Sequence, residues 1–87
     1  MKYTLSRHVR LHYDEASDNH YLFNVDSGAQ YRLNRMGLTV CVMLEEGKNQ
    51  DDIAKLIAEK LSIDFKISKK DIGEFFDFLL ANKLVHI

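Results

Sequence analysis

Residues 38–44 read Leu-Thr-Val-Cys-Val-Met-Leu, and at about 100° per residue this run makes a helix apolar on nearly every side. A helix with no polar face has to be enclosed by the rest of its domain. The chain has 87 residues, enough for one modest core, so a single domain spanning residues 1–87 must be built around this segment. Asn34 precedes it as a capping side chain. Gly47 follows it and suits a left-handed stop, so the helix is expected over residues 35–46. Directly upstream stand the turn pair Ser27-Gly28 and the alternating run Ala29-Gln30-Tyr31-Arg32-Leu33. A strand therefore enters the central helix with almost no loop.

Two further runs in the first third have strand character. Val9-Arg10-Leu11-His12-Tyr13 alternates apolar and polar residues, and Tyr21-Leu22-Phe23-Asn24-Val25 does so with one apolar interruption at Leu22. Both are rich in β-branched and aromatic types. Residues 14–19 between them are polar and turn-like, and Asp26-Ser27-Gly28 turns the chain into the third run. Short turns between three short strands predict an antiparallel meander with the second strand central and the first and third as edges.

Beyond Gly47 the period becomes helical. Asn49 caps a second helix, with Asp51 and Asp52 favourably placed in its first turn. Ile53, Leu56, Ile57 and Leu61 form its apolar stripe, opposite Lys55, Glu59 and Lys60. Residues 62–67 keep Ile63, Phe65 and Ile67 at alternate positions, as an extended connector would. Ser68-Lys69-Lys70-Asp71 resembles a capping box with Asp in place of Glu, so the third helix is expected from there. Ile72, Phe75, Phe76 and Leu79 make its buried face, Asn82 its stop, and residues 84–87 an apolar tail that can dock on the core.

The chain shows no catalytic constellation and no cofactor-binding motif. It contains no glycine-rich phosphate loop, and the pairs Glu45-Glu46 and Asp51-Asp52 sit at helix ends, where the helix dipole accounts for them. His8, His12, His20 and His86 lack the partners of a metal site and are read as surface residues. Cys41, the lone cysteine, excludes an intramolecular disulfide and reads as a buried structural thiol. The formal net charge of -1 offers no overall attraction for nucleic acid or an anionic membrane. With neither a signal peptide nor a run long enough to span a bilayer, a cytoplasmic location is expected.

Two features fall outside a purely structural reading. The third strand shows Ala29, Tyr31 and Leu33 on one face and Gln30 and Arg32 on the other. Its far edge has no visible partner unless the C-terminal tail pairs there, and an unpaired edge is either protected or used. Which way the N–H of residue 31 points is open at this level. The second feature is Phe78, roughly 130° from the centre of the third helix's apolar stripe. Asp71, Glu74 and Asn82 share its side, as a groove wall would. Alternatively the sheet or the connector covers it. The last two helices also form a helix-turn-helix, the basis of an alternative reading as a small winged-helix DNA-binding regulator. Against that, the helix that would enter the major groove carries Asp71, Glu74 and Asp77, set against Lys69 and Lys70 at its start, and its acids would face phosphates.

The element order and the segment Ser27-Gly28-Ala29-x-Tyr31-x-Leu33-Asn34-x-x-Gly37 resemble the PqqD-like family. Supporting matches are Leu44-Glu45-Glu46-Gly47, Asp52-Ile53-Ala54, Asp71-Ile72 and the closing Leu84-Val85. The resemblance runs from about Val9 to the C-terminus. Cys41 departs from it, since members often carry tryptophan there, a swap that touches packing more than binding. The resemblance implies an α+β, winged helix-turn-helix-like fold: a three-stranded antiparallel sheet followed by three helices. It implies a non-catalytic recognition element for ribosomally made, post-translationally modified peptides. Such a domain binds the leader segment of a precursor peptide as an added strand and presents it to a modifying enzyme, a radical S-adenosylmethionine enzyme or a leader peptidase and cyclase. On this chain Gly28, Ala29, Gln30, Tyr31, Arg32 and Leu33 would form the pairing edge, and Asp71, Glu74, Phe78 and Asn82 the helix side. A fragment split from a larger enzyme, serving as its docking domain, is a third reading. The oligomeric state, monomer or homodimer, stays open because an exposed edge can pair with its own copy.

Overall fold

The computed structural model describes residues 2–14, 16–17 and 19–86. The chain runs β1 (Thr4–Leu5), β2 (Val9–His12), β3 (His20–Asn24), β4 (Gln30–Leu33), α1 (Arg35–Glu45), α2 (Gln50–Leu61), α3 (Phe65–Ala81) and β5 (Val85–His86). Strands β2, β3 and β4 form an antiparallel meander with β3 in the centre. Two very short strands, β1 and β5, make a second antiparallel pair.

Helix α1 is central, as its composition requires. Val40, Cys41, Met43 and Leu44 are buried and no residue from 36 to 44 is exposed. Asn34 Oδ1 accepts from the Gly37 N–H at 2.7 Å, which starts the helix one residue after β4 ends. At the other end Gly47 has φ +86°, and the Lys48 N–H reaches back to the Met43 carbonyl at 3.1 Å. This is the Schellman arrangement that a left-handed glycine permits. Gly37 is needed for a different reason. A methyl group placed on it would lie 3.3 Å from Leu33 Cδ2 and 3.4 Å from Phe75 Cζ, so its smallness lets the end of β4, α1 and α3 meet closely.

In β3 the apolar interruption proves to be the core residue. Leu22 pairs with Leu11 on one side and Tyr31 on the other and is fully buried. Tyr21 and Phe23 are half-buried on the opposite face. Register decides this, because the face shared with Val9 and Leu33 is the one that packs on the helices. His20 also departs from the surface reading. It lies on the core side opposite Leu33, is 6% exposed, and its Nδ1 has no partner among the described residues.

Helix α3 starts a turn earlier than the capping-box pattern suggests. Asp64 is the cap, its Oδ1 accepting from the Lys66 N–H at 2.7 Å. Ser68 is instead buried inside the helix, where its hydroxyl donates to the Ala54 carbonyl of α2 at 2.7 Å. The alternating Ile63, Phe65 and Ile67 are thus not an extended connector. Ser62, at φ 53°, ends α2, and Phe65 and Ile67 already belong to α3.

The C-terminal tail docks away from the meander. Past Lys83, at φ 57°, Val85 and His86 pair with Leu5 and Thr4. The Ser6 N–H donates to the Leu84 carbonyl, and the Ser6 hydroxyl to that of Lys83, each at 2.9 Å. Ile87, the last residue of that tail, and Glu15 and Asp18 of the β2–β3 loop lie outside the described residues.

Candidate strand-pairing cleft

The outer edge of β4 has no strand partner among the described residues, since the tail pairs with β1. The phase of the β3–β4 ladder determines what that edge offers. The Asn24 N–H donates to the Ala29 carbonyl at 2.9 Å, so these two form a hydrogen-bonded pair, and bonded and non-bonded pairs alternate from there. Leu22 with Tyr31, and His20 with Leu33, are bonded pairs. Phe23 with Gln30, and Tyr21 with Arg32, are not. The main-chain groups of Tyr31 and Leu33 therefore face β3. Those of Gln30 and Arg32 face outward, giving two N–H donors and two carbonyl acceptors to the open side.

The other residues expected along this edge are placed differently. Gly28, at φ +79°, completes the hairpin, and its N–H donates to the Asn24 carbonyl at 2.9 Å. The Ala29 N–H turns to Ser27 Oγ at 3.2 Å. The Leu33 side chain is buried in the core. Tyr31 projects toward the helices, half-buried.

Tyr31 and Phe78 bring edge and helix together. Their ring centroids are 6.1 Å apart and their planes at 74°, and Phe75 stacks on Phe78, also at 6.1 Å. Such edge-to-face and offset pairs are favourable ring arrangements. Phe78 remains 39% exposed, so it is a wall residue rather than a core residue. Asp71 and Glu74 are exposed on the same side of α3 as Phe78. Asn82 is drawn back to its own helix, its Nδ2 donating to the Phe78 carbonyl at 2.9 Å.

The early start of α3 adds a residue that sequence reasoning missed. Ile67, 56% exposed, falls in line with Asp71, Glu74 and Phe78 at spacings of four, three and four. Asp64 as cap was the available signal, overshadowed by Ser68. From Ile67 to Phe78 the helix rises about 17 Å, the length of roughly five extended residues. The outward main-chain groups of β4 thus lie beside Phe78, whose helix face also carries Ile67, Asp71 and Glu74. Among the described residues no cluster of His, Cys, Asp and Glu could hold a metal ion. Cys41 is fully buried, and burial, with a smaller contribution from Glu45, pushes its thiol up to about 12. It is therefore not a nucleophile at neutral pH.

A family model described as coenzyme PQQ synthesis protein D (PqqD) matches residues 19–85. The chain belongs to the PqqD family. The match takes in β3, β4 and all three helices, the elements that build the cleft. No curated protein sequence matches the chain. Three solved structures share the PqqD-like fold. TbiB1 in complex with the TbiA(beta) leader peptide is 24% identical, with a TM-score of 0.86 over 95% of this chain and 94% of that one. Lasso peptide synthetase B1 complexed with the leader peptide is 16% identical, with a TM-score of 0.87 over the full length of both. The PqqD truncation of Methylobacterium extorquens PqqCD, a stand-alone recognition element for ribosomally synthesised and modified peptides, is 21% identical. Its TM-score is 0.79 over 98% of this chain and 88% of that one. The meander followed by three helices is thus the α+β architecture of this family.

Proposed function

We propose that this protein recognises the leader segment of a ribosomally made precursor peptide and presents it to a modifying enzyme. It does so without chemistry of its own. The observation that carries this reading is the open edge of β4 lying beside Phe78. Gln30 and Arg32 turn four main-chain hydrogen-bonding groups outward at the place where an aromatic helix wall stands. An extended peptide added there completes the ladder, and the wall supplies side-chain selectivity. Gly28, Ala29, Tyr31 and Leu33 hold the edge in place. Phe78 gives an apolar contact, and Asp71 and Glu74 make the same wall acidic. Asn82 acts mainly by ending α3. Family membership and the leader-peptide complexes of two proteins of the same fold support the reading.

The 87 residues act as one recognition domain. No helix among the described residues is long and apolar enough to cross a membrane, which suits a cytoplasmic adaptor for a radical S-adenosylmethionine enzyme or a leader peptidase and cyclase. A winged-helix DNA-binding role is disfavoured by Asp71, Glu74 and Asp77 on the exposed side of α3 and by membership of the PqqD family. A second copy of the chain would compete with a leader for the β4 donors, so leader binding and edge-to-edge dimerisation exclude each other. Calorimetric titration with the leader of the cognate precursor tests the proposal. Binding of roughly -8 to -10 kcal/mol, micromolar or better, is expected. No heat at high micromolar leader would refute it.

A further inference from the structure

The sheet has a second face that neither the core nor the cleft uses. Alternation along the three strands places Arg10 and His12 of β2, Tyr21 and Phe23 of β3, and Gln30 and Arg32 of β4 on the side away from the helices. The strands read Val-Arg-Leu-His, His-Tyr-Leu-Phe-Asn and Gln-Tyr-Arg-Leu, with no acid in any of them. Every charged side chain that these strands place on this face is therefore basic, in a chain whose net charge is -1. The aromatic pair at its centre is half-buried, with His12 stacked on Tyr21 at 4.7 Å. A shallow cavity of about 320 Å³ opens between Arg10, His12, Tyr21, Phe23 and Gln30. Arg10 Nη1 is held by the Arg7 carbonyl at 2.7 Å and the Val9 carbonyl at 3.1 Å, so the guanidinium is positioned without a carboxylate partner among the described residues. Arg32 is exposed on the same face.

We infer that this outer sheet face is the docking surface for an acidic patch on the modifying enzyme. Two arginines flanking tyrosine and phenylalanine match the residue types enriched at protein–protein interfaces, and one sign of charge asks for the other across the contact. Nucleic acid is the poorer occupant, because two guanidinium groups are few for a phosphate-driven contact and the rest of the surface is acidic in balance. Position adds the second argument. The face is continuous with β4, and a strand added to β4 extends it by one more row. Alternate side chains of that strand would stand on the same side as Arg10 and Phe23, so an enzyme seated here touches both the carrier and the bound peptide. This inference rests on the leader-binding reading for its purpose, though its contact can be measured without it.

Variants Arg10→Glu, Phe23→Ser and the double variant, none of them on β4, test the face. Each is first checked for an unchanged circular dichroism spectrum, and Arg10→Lys serves as a second, milder variant. Leader titration is expected to stay within about twofold of wild type. Association with the purified enzyme that processes the same precursor should fall at least tenfold in Arg10→Glu, further in the double variant, and little in Arg10→Lys. Wild-type association should weaken as salt is raised from 50 to 300 mM on the order expected of screened charges. Enzyme association unchanged in the double variant overturns the inference. So does a leader affinity that falls in step with enzyme association, which would assign the face to the leader. Binding of a short duplex DNA or RNA that Arg10→Glu abolishes also overturns it, in favour of nucleic acid. If wild type binds no leader but still loses its enzyme in Arg10→Glu, the leader reading fails and the docking face stands.

Discussion

Proline at residue 32 and proline at residue 31 should have opposite consequences, because neighbouring N–H groups of β4 point opposite ways. The Tyr31 N–H faces β3, where the Leu22 carbonyl receives it. Leu22 is fully buried, so Tyr31→Pro leaves that carbonyl orphaned, at about 1–3 kcal/mol. The lost ring contact with Phe78 adds about 0.5–1.5 kcal/mol. For a domain of this size each kcal/mol shifts Tm by about 4–8 °C, so a fall on the order of 10–20 °C is expected. The Arg32 N–H faces outward and has no strand partner to lose. Proline is tolerated on such an edge, and Arg32→Pro should melt within a few degrees of wild type. Its effect falls on the guest strand, which loses one main-chain bond and keeps an unsatisfied carbonyl in the cleft. At about 1.5–3 kcal/mol this is on the order of a ten- to hundredfold loss of leader affinity, with Arg32→Ala as the control for the missing guanidinium. Thermal melts and calorimetric titration of the three variants give the answer. A stable Arg32→Pro that binds leader as well as Arg32→Ala would refute strand addition at β4. A stable Tyr31→Pro would refute the ladder phase itself.

Phe78→Ala should weaken leader binding by roughly tenfold, about 1.4 kcal/mol, while Tm falls by about 5–10 °C, the loss expected from its ring contacts in a residue that is 39% exposed. A large stability loss would make Phe78 a core residue instead. Ser68→Ala should cost about 0.5–1.5 kcal/mol in urea unfolding by removing the buried bond to the Ala54 carbonyl, which keeps its partner within α2, with leader affinity unchanged in the folded protein. Cys41 adds a pH dependence. Its thiol is raised from 9.0 to about 12 by burial, so the folded state holds the proton more tightly than the unfolded chain. The stabilisation is fully present below pH 9 and is lost as pH rises toward 12. Unfolding free energies of wild type and Cys41→Ala measured across that range should therefore converge as pH rises, and a constant difference would contradict the assignment.

Helix α1 was legible because its signals are local and agree with one another: apolar residues all round, Asn34 before it and Gly47 after it. The meander was legible for the same reason, with turn residues at Asp26-Ser27-Gly28 and alternating runs on each side. Where two local signals competed, the sequence alone favoured the wrong one. Ser68 looked like a cap, yet α2 lies against it and takes its hydroxyl, so α3 begins at Phe65 and gains Ile67 on the cleft side. Leu22 looked like an interruption between Tyr21 and Phe23, yet its partners Leu11 and Tyr31 put it in the core.

The sequence by itself determined the three strands of the meander and the presence of three helices, that α1 must be enclosed, and that an apolar ring at Phe78 stands off the core stripe. These follow from side-chain period and capping chemistry, which act over a few neighbouring residues. Only the tertiary structure decided that the tail pairs with β1 and leaves β4 open, and that Phe78 meets Tyr31. It also decided that Gln30 and Arg32, rather than Tyr31, turn their main-chain groups outward. Those outcomes depend on register and on contacts between residues far apart in the chain. A shift of one residue in register reverses every group along a strand while leaving its local pattern unchanged.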